Sequence, residues 1–146
     1  MRGPMPAGSE HIDGILAIER ECFAVPWTRE GLCAYLPDDM HYMVICTDDK
    51  GEPIGYIGLM YVLDEGYISN VAVDPEYRRM GIADALITEL INRANSLELS
   101  FVTLEVREGN EPAKALYNKH GFSKVGVRKN YYSFPTENAI LMTKFF

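Results

Sequence analysis

The segment 71–84 contains the residue types of an anion-binding loop. An apolar strand ends at Val73, a turn follows, and Arg78, Arg79 and Gly81 precede an amphipathic helix. A helix start offers free backbone N–H groups and the positive end of the helix dipole, glycine permits close approach, and arginine donates to phosphate oxygens. The same residues suit a solvated basic turn that caps an ordinary helix, and both interpretations stay open on these residues alone.

The loop lacks two common phosphate-binding patterns. It has neither the Lys-Ser/Thr pair of a P-loop nor the full glycine set of a dinucleotide fingerprint. A phosphate bound here is therefore not expected to be that of a hydrolysed nucleotide or of NAD. Behind the loop, apolar residues recur every three or four positions and predict a helix over 82–96 with one buried face.

Glu105 is a candidate general base. In the strand predicted over 101–107, Leu104 and Val106 share one face, and Glu105 lies on the other. A carboxylate in the middle of a central strand needs a partner, because buried glutamate is rare without one. It either forms an ion pair with Arg107 or another cation, or it serves as a base near the end of a ligand-bearing strand.

Tyr117 and Asn110 belong to the helix that follows this strand. Tyr117 shares a face with Ala113 and Leu116, which is typical of a core tyrosine with its hydroxyl at the surface. Asn110 is most simply the N-cap, although Glu111 is also possible at that position. Neither residue indicates catalysis by itself.

Composition limits the class of protein. The chain has 146 residues, which predicts a single domain over 1–146, and its formal net charge is -7. An acidic chain is a poor partner for nucleic acid and a better one for a basic peptide or an amine, although an acidic charge more commonly serves solubility alone. No apolar run approaches the roughly 18 residues of a membrane span and no signal peptide is recognisable, so we expect a cytoplasmic protein without a membrane partner.

The sequence predicts no metal site and no disulfide. The three cysteines are widely spaced, and the three histidines are scattered without the spacing of metal ligands. Cys46, within an apolar stretch, is expected to be a buried thiol.

Periodicity and turn residues predict a mixed α/β fold. Helices are expected over 10–22, from Thr28 to near Pro37, over 82–96, and from Asn110 to Gly121. Strands are expected over 42–47, 53–63, 67–73, 101–107, 122–132 and 138–145, with residues 1–9 partly extended. The sheet should begin as an antiparallel meander and contain one parallel connection across the third helix.

Several separated motifs together resemble the GNAT family of N-acetyltransferases. The matching segments are 71–83, 104–107 and 110–122, and the resemblance extends over about residues 67–142. The family's acetyl-CoA signature, [Gln/Arg]-x-x-Gly-x-[Gly/Ala], is met by Arg78, Gly81 and Ala83. Ala83 stands where a second glycine is commoner.

Within that family the chain is similar to the RimI-type ribosomal-protein-alanine N-acetyltransferases. The similarity lies in Pro-Trp-Thr at 26–28, Asn-Tyr-Tyr at 130–132 and Glu-Asn-Ala at 137–139. Asn138 departs from this pattern, because aspartate is frequent there. The departure removes no catalytic group, but it weakens the indication of peptide specificity.

The resemblance implies a GNAT fold, an α/β arrangement whose mixed, mostly antiparallel sheet is flanked by helices and splayed between strands 67–73 and 101–107. It implies Glu105 as the proton acceptor and Tyr117 as the proton donor. It also implies acetyl-CoA as co-substrate, and the residues that would bind it are Val71, Ala72, Val73, Arg78, Arg79, Met80, Gly81, Ile82, Ala83, Asp84, Asn110 and Tyr117.

The acceptor implied by the resemblance is the N-terminal α-amine of a protein, with alanine of a small-subunit ribosomal protein as the expected case. Trp27, Tyr131, Tyr132 and Glu137 would bind it. At neutral pH, deprotonation costs about 1 kcal/mol for an α-amine and roughly 4–5 kcal/mol for a lysine. Acetylation of a small amine or of a protein lysine is the alternative, and a catalytically silent acyl-CoA-binding module is the alternative outside enzymes.

Overall fold

The computed structural model describes residues 1–36 and 38–146, which contain seven strands and four α-helices. The helices are α1 (Ile12–Cys22), α2 (Arg29–Cys33), α3 (Ile82–Ser96) and α4 (Glu111–Lys119). The strands are β1 (Arg2–Pro6), β2 (His41–Thr47), β3 (Pro53–Val62), β4 (Glu65–Val73), β5 (Phe101–Arg107), β6 (Ser123–Tyr132) and β7 (Glu137–Phe145). Short 3₁₀ turns precede α1 and α3.

The described strands form one sheet in the order β1-β2-β3-β4-β5-β7-β6. Only β4 and β5 are parallel, and α3 makes the crossover between them, as the sequence predicted. The C-terminal hairpin places β7, not β6, against β5. The fold class expected from the resemblance is therefore confirmed.

Strand β1 is an N-terminal strand that was not in the predicted set. Residues 1–9 were expected to be partly extended, and Arg2–Pro6 of this segment form β1. Pro4 and Pro6 cannot donate to a ladder. They are accommodated because β1 is an edge strand, paired on one side only, with β2. The sheet consequently has seven strands instead of the six expected.

Capping residues in the sequence predicted several of the helix ends. Thr28 caps α2, since its hydroxyl accepts a hydrogen bond from the Gly31 N–H at 3.0 Å. That helix ends at Cys33, and Pro37, near which its end was predicted, lies outside the described residues. At the end of α4, Gly121 has the left-handed φ of 91° that the sequence predicted.

Helices cover both faces of the sheet. Val44 and Ile45, which are neighbours on β2, belong to two different buried clusters, because alternate residues of a strand point to opposite faces. On one face α3 buries an apolar stripe, and Tyr117 and Phe122 join the same cluster. On the other face α1 and α2 pack. No helix in residues 1–36 and 38–146 has the length and apolar character needed to cross a membrane.

The sheet opens between β4 and β5. The two strands pair at only three positions, the last of which joins Tyr67 to Thr103. Beyond this point β4 keeps its pairing with β3 as far as Val73, while β5 stays paired with β7 as far as Arg107. Beyond Tyr67, β4 is therefore paired only with β3 and β5 only with β7, so the facing edges of β4 and β5 have no partner strand.

A β-bulge in β4 lies where the separation begins. Gly58 of β3 pairs with Asn70 while Leu59 pairs with Ile68, so Ser69 is the extra residue. The Ser69 hydroxyl donates to the Gly58 carbonyl at 3.3 Å. A bulge bends its strand, which accounts for the departure of β4 from β5.

Candidate active site

A cleft of about 690 Å³ opens where β4 and β5 separate. It is bounded by these two strands, by the connection between α1 and α2, by α4, and by the end of β6. Seven of the residues predicted for the site line this central cleft: Trp27, Val71, Glu105, Asn110, Tyr117, Tyr131 and Tyr132. Residues from four distant parts of the chain thus meet in one place.

Glu105 is held in the cleft by two side chains. Its side chain is only 7% exposed, and its Oε1 lies 3.4 Å from Nε of Arg128 on β6. Its Oε2 accepts a hydrogen bond from the hydroxyl of Tyr67. The cation beside Glu105 is therefore Arg128 and not its strand neighbour Arg107, which pairs with Glu137. A fixed carboxylate with an ion-pair partner can still serve as a base for a ligand in the cleft.

Tyr67 is a residue of the cleft that the sequence did not indicate. Burial and the adjacent Glu105 carboxylate raise the pKa of the Tyr67 hydroxyl, which keeps it a donor. Only the register of β4 against β5 brings Tyr67 close to Glu105, because Tyr67 pairs with Thr103, two residues before Glu105 on β5. No local pattern carries that information.

Tyr117 presents a protonated hydroxyl to the same cleft. Its ring is 8% exposed and packs edge-on against Phe122, with the ring centres 6.0 Å apart. Within the described part of the chain, its hydroxyl has no hydrogen-bond partner, although the residue lines the cleft. Burial raises its pKa, so the hydroxyl stays protonated and able to donate at neutral pH.

The start of α3 has the features that a bound phosphate requires. Gly81 has a φ of 78°, and a Cβ added there would meet no atom within 4 Å. No side chain caps the helix, so the backbone N–H groups of its first turn are available to an anion. Ile82 is buried and Ala83 half-buried, so these residues can offer a ligand their backbone far more readily than their side chains.

Asp84 in the first turn of α3 is turned towards α4. Its carboxylate accepts hydrogen bonds from Lys119 Nζ at 3.0 Å and from His120 Nε2 at 2.8 Å. The hydrogen bonds from His120 and Lys119 lower the pKa of the Asp84 carboxyl. These partners offset a negative charge close to the predicted phosphate site.

Arg78 connects this loop to β4 and α1. Its Nε donates to the Val73 carbonyl at 3.3 Å, and its Nη2 lies 3.5 Å from Cys22 Sγ. Its guanidinium would have to leave these partners to reach a phosphate. Arg79 and Met80 are exposed, and Ala72 is buried, so Ala72 can offer a ligand only its backbone.

Aromatic rings form two parts of the cleft wall. Trp27 stacks on Tyr35 at 4.9 Å between ring centres, and Tyr131 meets Tyr132 edge-on at 5.0 Å. Tyr131 and Tyr132 were predicted to bind the acceptor, whereas as residues of a regular strand they would face opposite sides of β6, and both line the cleft. The register of β6 against β7 shifts between Arg128 and Tyr132, and Asn130 has a φ of 53°. This irregularity breaks the alternation of a regular strand.

Glu137 and Asn110 have structural partners as well. One oxygen of Glu137 accepts a hydrogen bond from the Gly109 N–H at 2.6 Å, and the other lies 3.1 Å from Arg107 Nη1. These two contacts, with Gly109 and with Arg107, lower the pKa of the Glu137 carboxyl. Glu137 is not among the cleft-lining residues, and it connects β7 to the turn before α4. Asn110 is the N-cap of α4, through a 3.3 Å bond from the Ala113 N–H, and it also lines the cleft.

Fold and site together define a class of protein. The sheet opens between two central strands, and an uncapped helix follows the first of them. A carboxylate and a tyrosine hydroxyl lie in the opening. This arrangement is the framework of a CoA-dependent N-acetyltransferase. The acetyltransferase (GNAT) family model matches residues 12–122. The chain belongs to that family.

The similar proteins are named more narrowly. A [ribosomal protein bS18]-alanine N-acetyltransferase of Escherichia coli is 34% identical over 129 residues, which are 86% of this chain and 84% of its own. A Bacillus subtilis relative bears that name provisionally and is 36% identical over 135 residues, 91% of this chain and 88% of its own. The crystal structure of the Escherichia coli ribosomal-protein-S18-alanine N-acetyltransferase matches with a TM-score of 0.88 and 29% identity, covering 97% of this chain and 91% of that one.

Acetyl-CoA is the co-substrate of this family, and the site fits it. The unpaired edges of β4 and β5 can pair with an extended ligand arm, and the uncapped start of α3, with free space at Gly81, can bind its phosphates. Nowhere in the described residues do three or more His, Cys, Asp or Glu side chains come together as metal ligands would.

Proposed function

We propose that this protein transfers an acetyl group from acetyl-CoA to the α-amine of an N-terminal alanine, on a small-subunit ribosomal protein of the bS18 kind. The observation that carries the proposal is that Glu105 and Tyr117 meet in one cleft between aromatic walls. The names of relatives that are 34–36% identical over most of the chain support the same acceptor. Residues 1–146 are proposed to form one domain. The proposed location is the cytoplasm, where ribosomal proteins are made.

Glu105 is proposed to accept the proton of the attacking amine. Acetyl-CoA supplies an acetyl group on a good leaving group, so the amine needs only to be neutral and correctly placed. Both oxygens of Glu105 already contact protein side chains, so we propose that the proton passes from the amine to the carboxylate through one water molecule. An α-amine, with a pKa near 8, loses its proton at a cost of about 1 kcal/mol at neutral pH.

Tyr117 is proposed to donate to the departing thiolate sulfur. Its hydroxyl stays protonated because burial raises its pKa, and it is unengaged in the described part of the chain. A hydrogen bond from this hydroxyl stabilises the charge on sulfur as the carbon–sulfur bond breaks, without requiring complete proton transfer. The residues predicted to bind acetyl-CoA remain proposals on the same basis.

The aromatic walls are proposed to admit an extended N-terminus. Trp27 and Tyr35 lie on the α1–α2 side, and Tyr131 and Tyr132 lie on the β6 side. Flat rings on two sides suit a narrow chain end better than a bulky surface. The net charge of -7 favours a basic ribosomal protein as partner through long-range attraction.

The test is a competition assay with acetyl-CoA and three acceptors. These are a peptide with a free N-terminal alanine, the same peptide blocked at its N-terminus but containing lysines, and spermidine. Acetylation of the free alanine well above the other two is expected. Equal acetylation of both peptides contradicts α-amine specificity, a preference for spermidine indicates a small-amine enzyme, and binding of acetyl-CoA without any transfer indicates a silent module.

A further inference from the structure

We propose that Asn70, oriented by the buried carboxylate of Glu19, accepts a hydrogen bond from an N–H of the incoming amine and so positions it for attack. This inference rests on the proposed function and adds a positioning residue to it. Neither residue was singled out from the sequence. Their hydrogen bond joins α1 to β4 at the edge of the cleft.

Glu19 is a carboxylate in an unusual place. It lies on α1, is 0% exposed, and faces the sheet. Its Oε1 accepts a hydrogen bond from Asn70 Nδ2 at 3.1 Å. Burial raises the pKa of the Glu19 carboxyl, and hydrogen bonds from the Trp27 backbone N–H and from Asn70 oppose that rise by stabilising its charged form. The Tyr56 hydroxyl lies beside it without meeting full hydrogen-bond geometry among the described residues. A buried carboxyl surrounded by donors acts as an acceptor.

This carboxylate determines which end of the Asn70 amide faces the cleft. A carboxylate only accepts hydrogen bonds, so the NH₂ group of the amide must point to Glu19. The amide oxygen, Oδ1, is then directed elsewhere, and Asn70 lines the cleft. No donor to Oδ1 exists in residues 1–36 and 38–146, so this acceptor is free for a ligand.

The position of Asn70 matches the path of the amine. Asn70 directly follows the bulged residue Ser69 and precedes Val71, the first residue of the chain predicted to bind acetyl-CoA. Glu105 lies across the opening on β5. A neutral amine has two N–H groups and one lone pair. With one N–H on Asn70 Oδ1 and the other towards Glu105, its lone pair is left to point at the thioester carbon.

The test compares Asn70→Ala with Glu19→Gln in steady-state assays of acetyl-CoA and an N-terminal alanine peptide. Asn70→Ala is expected to raise the KM for the peptide about five- to tenfold, the size of one lost hydrogen bond, with the KM for acetyl-CoA unchanged. Glu19→Gln keeps the volume but lets either end of the Asn70 amide face the cleft. A smaller rise, of about two- to threefold, is therefore expected.

The double variant separates positioning from general damage. If Glu19 acts through Asn70, the double variant has the peptide KM of Asn70→Ala alone, whereas independent effects multiply. Tyr42→Phe is the control for general damage to the core, because Tyr42 is a buried tyrosine of the cluster on the other face of the sheet, away from Glu19 and Asn70. An unchanged peptide KM in Asn70→Ala, multiplying effects, or an equal rise in Tyr42→Phe would each overturn the inference. Absence of peptide acetylation by the unaltered protein would instead refute the proposed function.

Discussion

The Tyr67 hydroxyl donates a hydrogen bond to Oε2 of Glu105 across the point where β4 and β5 separate. Tyr67 is the last β4 residue that pairs with β5, so it is held by the sheet while its side chain reaches the open cleft. The proposed base is thus oriented by the neighbouring strand as well as by Arg128. A base fixed in this way loses little entropy when the substrate arrives.

Tyr67→Phe should lower kcat while leaving both KM values close to those of the unaltered protein. The phenyl ring keeps the packing, but Glu105 loses a donor that fixes its side chain. We expect a decrease of about three- to tenfold, the size of one hydrogen bond. Steady-state kinetics measure this, and Tyr61→Phe is a control because its hydroxyl contacts the Asp38 backbone carbonyl, away from Glu105. A kcat equal to that of the control would contradict the role of Tyr67.

Glu105→Gln should lower kcat about 100-fold or more, because the amide cannot accept the amine proton. Acetyl-CoA affinity, measured by calorimetry, should be largely kept, since Glu105 is proposed to act on the amine and is not among the residues proposed to bind acetyl-CoA. Glu108→Gln, an exposed position on the loop before α4, is the matched control and should leave kcat unchanged. Turnover of Glu105→Gln near that of the control would remove Glu105 from the mechanism.

Tyr117→Phe should lower kcat by a factor of about 10 to 100 through loss of the donor to the thiolate. In the unaltered protein burial raises the Tyr117 pKa, so its protonated, donating form persists above pH 10. The pH profile of kcat should therefore show no alkaline decrease due to Tyr117 below about pH 10, the ordinary tyrosine pKa. A decrease near pH 9 that disappears in Tyr117→Phe would contradict the effect of burial.

Gly81→Asp should weaken acetyl-CoA binding by at least about 100-fold, because a carboxylate would meet the pyrophosphate at the start of α3. Gly51→Asp is a close control, since Gly51 also has a positive φ, of 86°, and open space where a Cβ would stand. Both variants carry the same backbone strain and the same charge, but only Gly81 lies before α3. Calorimetry that finds equal affinities in the two folded variants would refute the phosphate site.

Asp84→Asn should destabilise the protein by about 0.5 kcal/mol near neutral pH, a value reduced for solvent screening because the side chain is partly exposed. The lowered pKa of Asp84 means that its stabilisation is present above about pH 4 and is lost as the pH falls through the lower folded value. Urea titrations at pH 7 and pH 3 measure this. A difference between the two proteins that is as large at pH 3 as at pH 7 would contradict it.

The local elements could be predicted from the sequence because their signals are local. The helix predicted over 82–96 from its apolar spacing, the Thr28 and Asn110 caps and the left-handed Gly121 each depend on a few neighbouring residues, and the structure confirms them. The family motifs extended this to the open sheet between β4 and β5. They also assigned Glu105 and Tyr117 the roles of proton acceptor and proton donor.

Only the tertiary structure decided which side chains meet. The Ser69 bulge, the pairing of Glu105 with Tyr67 and Arg128, and the contact of Glu19 with Asn70 join residues that are distant along the chain. Strand register and helix docking depend on the packing of the whole core, and a shift of one residue would turn each side chain to the opposite face. The sequence by itself therefore determined the elements and the chemical class of the site, whereas the long-range packing decided the partners of its catalytic groups.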